Sequence, residues 1–299
     1  MQPFILVFMH IGKSGGTTLT ELLIRQFPLE CRIAGQFDGD LRSTGTASVE
    51  GVRAAFMELS PETRAAVRLI TGHVPFGLHQ FLPMQTRYLT LVRDPVEREI
   101  SNFYYGRLQT QSEKGLMASR MSFEQYVDQG QFANYFSRLL SGIDSLNPLW
   151  DSKTAPSWAW IGSDVVSLVM ENIDKHFLIA GPLERFDEYL VLLCRRMGWD
   201  VSNVAYTRRN VTLDRPRTDE LSPELIKKIR ERNEADEELY KLICERFDRD
   251  VRSEGDSFQR DLAHFRNLNN EKIKQSPAPV PFWSALRGTL NAWLRRERP

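Results

Sequence analysis

Phe4-Ile-Leu-Val-Phe-Met-His-Ile-Gly-Lys-Ser-Gly-Gly-Thr-Thr-Leu-Thr-Glu-Leu-Leu23 decides how the rest of this chain is read. The apolar run from Phe4 to Met9 has the length and character of a strand buried on both faces. Leu19, Leu22, Leu23 and Phe27 then recur at helical spacing. Between the two patterns stand Gly12, Lys13, Ser14, Gly15 and Gly16, followed by Thr17 and Thr18. Glycines in such a loop reach positive φ and let the backbone close on an anion, while the next helix points its positive dipole end at the same place. The stretch therefore predicts a phosphate site. It is not the nucleoside-triphosphate loop G-x-x-x-x-G-K-[ST]. Gly12-Lys13-Ser14 matches the end of that pattern, but its first glycine would fall on Val7, inside the strand. A lysine at the beginning of the loop implies a different ligand.

A glycine turn that only joins strand to helix is the plainer reading, and a second stretch argues against it. Tyr88-Leu-Thr-Leu-Val-Arg-Asp-Pro-Val-Glu-Arg-Glu-Ile-Ser-Asn-Phe-Tyr-Tyr105 is again strand, turn and helix. Asp94 suits an N-cap and Pro95 a first helical position, so Arg93 is held at the junction with Ser101 about two turns on. With both motifs present, the chain resembles the sulfotransferases that use 3′-phosphoadenosine 5′-phosphosulfate (PAPS). Within them it looks like the carbohydrate branch that includes the heparan sulfate 2-O- and 6-O-sulfotransferases and bacterial relatives. Gly72-His73-Val74, Asn134-Tyr-Phe-Ser-Arg138-Leu-Leu-Ser-Gly142 and Gly181-Pro-Leu-Glu-Arg-Phe-Asp-Glu188 also carry the likeness.

The resemblance implies an α/β fold, a P-loop-like three-layer sandwich with a central parallel sheet flanked by helices. It implies PAPS as co-substrate, PAP as product and no metal. Carried over residue by residue, Lys13, Ser14, Gly15, Gly16, Thr17 and Thr18 would hold the 5′-phosphosulfate, and Arg93 and Ser101 the 3′-phosphate. His73, just past the predicted strand Val67–Thr71, matches the family's catalytic base, and Lys13 would stabilise charge in the transfer. Position supports this, because ligands of open parallel sheets collect at the carboxyl ends of strands, which Lys13, His73 and Arg93 each follow. Imidazole is also mostly neutral near pH 7 and able to take a proton. His10, His79, His176 and His264 are read as structural. Arg138 is a candidate for the cleft, while Arg208 and Arg209 fall in a loop with only a loose match.

The expected reaction is sulfuryl transfer from PAPS to an acceptor hydroxyl, on a saccharide or glycolipid. A P-loop kinase using ATP and Mg²⁺, and a non-enzymatic nucleotide-binding scaffold, stand as alternatives.

With 299 residues, the chain is read as a sulfotransferase domain over 1–270, then a linker and amphipathic helix over 271–299. Lys+Arg and Asp+Glu are both 39, a balance that argues against a general nucleic-acid binder. Cys31, Cys194 and Cys244 lack metal spacing and read as thiols of a reducing compartment. No leader or membrane-spanning run is evident, which predicts a cytoplasmic, bacterial form. Residues 282–296 carry an apolar stripe beside arginines, suited to a membrane surface or a subunit contact. Cys31 to Thr46 and Gly106 to Ser122 are expected as loops. Phe123 to Gly142 and the run from Ser222 through Leu239 are expected as helices, and Trp150, Trp158 and Trp160 as core residues.

Overall fold

The strands β1 (Ile5–Met9), β2 (Arg32–Ala34), β3 (Leu69–Gly72), β4 (Thr86–Val92) and β5 (Phe177–Pro182) form one parallel sheet in the order β2-β3-β1-β4-β5. The structure is a computed structural model that describes residues 3–34, 49–108, 113–130, 132–142, 163–206 and 215–275. β1 lies at the centre and every residue in it is buried, as its unbroken apolar run requires. Its side chains alternate between two cores. Ile5, Val7 and Met9 join one, and Leu6 and Phe8 join the other.

The helices in chain order are α1 (Gly16–Gln26), α2 (Val49–Glu58), α3 (Pro61–Ala66), α4 (Pro95–Leu108), α5 (Glu113–Ser119), α6 (Phe123–Gln129), α7 (Tyr135–Ser141), α8 (Ser163–His176), α9 (Phe186–Met197), α10 (Pro223–Arg232), α11 (Glu234–Ser253) and α12 (Asp256–Gln275). Leu19, Leu22 and Leu23 of α1, Tyr189 to Cys194 of α9, and Phe258, Leu262 and Phe265 of α12 cover one face of the sheet. Val52 and Phe56 of α2, Ile100 and Phe103 of α4, and Val169 and Ile173 of α8 cover the other. α11 gives Leu239 and Ile243 to one core and Phe247 and Val251 to the other. Helices on both faces of a parallel sheet make the three-layer arrangement that the sequence implies.

β1 leads through α1 to β2 on one side, whereas β4 leads through α4 towards β5 on the other. The loops after β1 and β4 diverge there and leave a crevice at the carboxyl ends of the strands.

Several local expectations change. Arg32–Ala34, expected in a loop, pairs with Leu69–Thr71 as a three-residue edge strand, a tertiary pairing that its polar surroundings conceal. Gly106 to Ser122, expected as a loop, is mostly helical where it is described. α4 continues to Leu108 and α5 occupies Glu113–Ser119. The expected helix 123–142 breaks after Gly130 (φ 62), which ends α6.

The helix expected from Ser222 breaks at Asn233, because Asn233 is needed elsewhere. Its Oδ1 accepts from Asn134 N at 3.0 Å, while Asn134 Oδ1 accepts from Ala235 N and Asp236 N at 3.1 and 3.2 Å. The Asp236 carboxylate takes Phe136 N at 3.2 Å, Ser137 N at 2.8 Å and the Ser137 hydroxyl. Each helix start is thus capped by side chains from the other, and Asn134 takes φ 50 to allow it.

α12 runs on to Gln275 across the boundary expected at 270. Trp150, Trp158, Trp160, Arg208, Arg209 and residues 282–296 lie outside the described residues. Among the described residues no helix is long and apolar enough to cross a membrane.

At the amino-terminal edge of the sheet, the His79 and His176 rings meet at a tilt of 30° with centroids 4.2 Å apart. Tyr88 Oη accepts the His79 backbone N–H at 2.9 Å and lies 3.0 Å from His79 Nδ1. Burial holds His79 below its ordinary pKa, helped by His176; burial, then Lys175 and Arg87, do the same for His176.

Two outcomes are expected. Asp236→Ala strands the first N–H groups of α7 and should cost about 3 kcal/mol or more in urea denaturation. Histidines whose folded pKa is depressed bind protons first in the unfolded chain, so stability is lost as pH falls below about 6.5. The thermal midpoint should drop between pH 7 and pH 5, and by less in His79→Gln.

Candidate active site

Lys13 (φ 70) and Gly15 (φ 74) both take the left-handed region, which turns the chain sharply between β1 and α1. For Lys13 this is a strained choice that its surroundings must hold. Gly15 and Gly16 have no room for a side chain. A Cβ on Gly15 would stand 2.3 Å from Leu183 Cδ1, and one on Gly16 would stand 1.9 Å from His10 Cδ2. α1 begins with no side-chain cap and no acidic residue in its first turn, so its positive end faces the loop. Ser14 is fully buried and its hydroxyl has no hydrogen-bond partner in the protein, an orphan that suits an anion-binding loop. Thr18 is buried and Thr17 half-buried beside it.

His73 meets this loop from β3. Its Nδ1 lies 2.7 Å from the His10 carbonyl oxygen. A carbonyl only accepts, so the proton sits on Nδ1 and the Nε2 lone pair is free. The His10 ring lies 4.4 Å from the His73 ring at 25°. Burial, then His73 and Lys13, keep His10 well below its ordinary pKa, so His73 is backed by a neutral ring. Gly12 sits between His73 and α7. A Cβ there would be 3.9 Å from both His73 Cε1 and the Tyr135 hydroxyl oxygen. Phe76 N donates to Leu139 O at 3.0 Å, which ties the segment after β3 that carries His73 to the helix that carries Tyr135.

Arg93 closes the site from β4. Asp94 Oδ1 accepts from Glu97 N at 3.0 Å, so the expected cap forms and α4 starts at Pro95. Arg93 Nη1 donates to Lys13 O at 3.3 Å and Nη2 to Glu97 Oε2 at 2.8 Å. Burial and then Arg215 lower the pKa of Arg93, while Glu97 and Glu184 oppose them. Glu97, Ser101 and Tyr105 follow one another at four-residue spacing and so share a face of α4. Arg93 grips the first, and the Lys13 ammonium lies 3.3 Å from the ring centroid of the last. Ser101, 6% exposed, stands between them. A groove of about 400 Å³ opens at Glu97, lined also by Arg217, Thr218, Asp219 and Ile226.

Loop, histidine and arginine thus converge on one crevice. Arg138 is instead buried within α7. Sequence reading missed Glu97, Tyr105, Tyr135, Arg215 and Thr218. The spacing of Arg93 to Glu97 and of Ser101 to Tyr105 carried a signal for two of them, whereas Tyr135, Arg215 and Thr218 reach the site only through tertiary packing.

The family described as galactose-3-O-sulfotransferase matches residues 4–276. Human galactosylceramide sulfotransferase is 24% identical over 274 residues, covering 88% of this chain and 62% of its own length. Galactose-3-O-sulfotransferase 3 of Bos taurus is 29% identical over 229 residues, covering 72% of this chain and 51% of its own. The chain therefore spans between half and two thirds of these relatives. They point to the galactose branch of the carbohydrate sulfotransferases, where the motifs alone suggest the heparan sulfate branch. The matched span takes in both motif loops and every described strand and helix, and the chain belongs to the galactose-3-O-sulfotransferase family.

Proposed function

We propose that this protein transfers a sulfuryl group from PAPS to a hydroxyl of a galactose-bearing saccharide or glycolipid. The observation that carries the reading is the bond from His73 Nδ1 to the His10 carbonyl, which holds the imidazole beside the Lys13 loop and leaves Nε2 as its basic nitrogen. The acceptor class follows the relatives, which are named for galactose and galactosylceramide.

PAPS supplies the activated sulfuryl group when bound. The orphan Ser14 hydroxyl, the uncapped start of α1 and the Lys13 cation suit its 5′-phosphosulfate. Arg93, and Ser101 on the same side of α4, suit its 3′-phosphate. His73 Nε2 takes the acceptor hydroxyl proton as that oxygen attacks sulfur. Lys13 and the α1 N–H groups meet the negative charge that develops on the departing phosphate oxygen, where exclusion of water strengthens them. The tautomer needs no further group to set it, because a backbone carbonyl fixes it.

Calorimetric titration with PAP, AMP and ATP with Mg²⁺ tests the donor. PAP should bind at least about tenfold more tightly than AMP, through charge-assisted bonds that Arg93→Ala removes. Preference for ATP with Mg²⁺ would bring the kinase forward, and no binding would bring the scaffold. His73→Ala should lower turnover of a galactoside acceptor by about 10² to 10⁴ while leaving PAP affinity within about threefold. Lys13→Ala should impair both. Near-normal turnover in His73→Ala removes it as the base.

A further inference from the structure

Beside Arg93 the protein already holds an anion of its own. Glu97 Oε2 accepts from Arg93 Nη2 at 2.8 Å and from Arg215 Nη1 at 3.0 Å, and its Oε1 accepts from the Thr218 hydroxyl at 2.5 Å. Two guanidiniums and a hydroxyl, drawn from the start of α4 and from the segment after 214, close around one planar carboxylate. That donor set is the one a phosphate monoester takes. The other carboxylates nearby are engaged elsewhere. Glu184 accepts from Asp94 N at 3.2 Å and from the Tyr240 hydroxyl at 3.0 Å, and Asp94 caps α4 while facing Arg230 at 3.8 Å.

Charge decides what happens when a phosphate arrives. Arg93 and Arg215 carry two positive charges and Glu97 one negative. A phosphate monoester brings about −1.5 to −2 at neutral pH. A site that kept Glu97 would place a carboxylate against a phosphate in a partly buried pocket, where like charges repel strongly. A site without any anion would leave two partly buried guanidiniums with no shared counter-charge, since Arg93 and Arg215 meet on Glu97. Glu97 has somewhere to go, since its side chain is 28% exposed and lines the groove of about 400 Å³.

We propose that Glu97 is a displaceable occupant of the 3′-phosphate pocket. It holds Arg93 and Arg215 in place in the free protein and yields them to the nucleotide. A nucleotide without a 3′-phosphate offers nothing to exchange for it, so Glu97 sharpens selection as well as weakening affinity. The proposal rests on the donor reading above, and it adds Arg215 and Thr218 to the residues that face the phosphate.

The test is titration of the full chain and of Glu97→Gln with PAP and with AMP, beside a thermal melt of each. Removing the competing charge should tighten PAP by about tenfold or more and leave AMP within about twofold. Unchanged or weaker PAP binding by a variant that melts like wild type makes Glu97 a brace for the arginines and overturns the proposal. If wild type itself fails to prefer PAP to AMP, the donor reading falls and takes the proposal with it. A crystal structure of the wild-type complex with PAP decides the matter without any variant. Phosphate oxygens on Arg93 and Arg215, with Glu97 turned to the groove, are expected; Glu97 retained on both arginines would refute displacement.

Discussion

Everything in the site depends on β1 being held between β3 and β4 in one register. Met9 pairs with Gly72 on one side and with Thr90 on the other. His10 N then donates to Gly72 O at 2.9 Å, and Thr90 Oγ1 donates to Met9 O at 3.1 Å. This register places His73 one residue past the end of its strand, beside His10, and places Arg93 three residues past Thr90, within reach of Lys13 O. A slip by one residue would turn Val7 and Phe8 into each other's cores and point the loop away from both partners. Burial of β1 on both faces makes such a slip expensive, so the hydrophobic pattern of a single strand fixes the geometry of the crevice.

Inside that crevice the protein keeps charges few and assigned. His10 is held neutral, so the ring that backs His73 adds no second cation next to Lys13. The Lys13 ammonium rests on the face of Tyr105, which receives a cation without placing a carboxylate in the loop after β1. Arg93 and Arg215 share Glu97. The carboxylate lies at the arginine end of α4 and the aromatic ring at the lysine end, so one helix face carries both counterparts and Ser101 separates them.

How much of this was legible varies with the range of the interaction. The two strand-turn-helix units could be read directly, because a buried run, a cap and a first-turn proline are local signals: β1, α1, β4 and the Asp94 cap all lie where the periodicity puts them. The parallel sheet followed from the family resemblance that these units carry. What escaped was set by tertiary contact. The Asn134 motif carries the family likeness within an expected helix, yet Asn134 caps α11 and Asp236 caps α7, an exchange across a hundred residues that no local pattern announces. The motif's link to the site is Tyr135, whose hydroxyl is placed by that capping. β2 was hidden for the same reason, since three residues become a strand only because β3 lies beside them.

The two strained residues show how the halves of the crevice are joined. Asn134 and Lys13 are the non-glycine residues at positive φ among those described. For Asn134 the strain is balanced by the caps that its side chain and backbone make. Lys13 is restrained by the bond from Arg93 Nη1 to its carbonyl and by the seat of its ammonium on Tyr105. The loop that would hold the 5′ end of the donor is therefore kept in shape by the arginine that would read the 3′ end. Whatever anion occupies Arg93 sets where that guanidinium stands, and with it the carbonyl of Lys13. In the proposed donor site, exchange of Glu97 for a phosphate is then felt at the lysine that meets the leaving group. On the proposed reading, recognition of the 3′-phosphate and arrangement of the transfer site would be one mechanical event instead of two independent contacts.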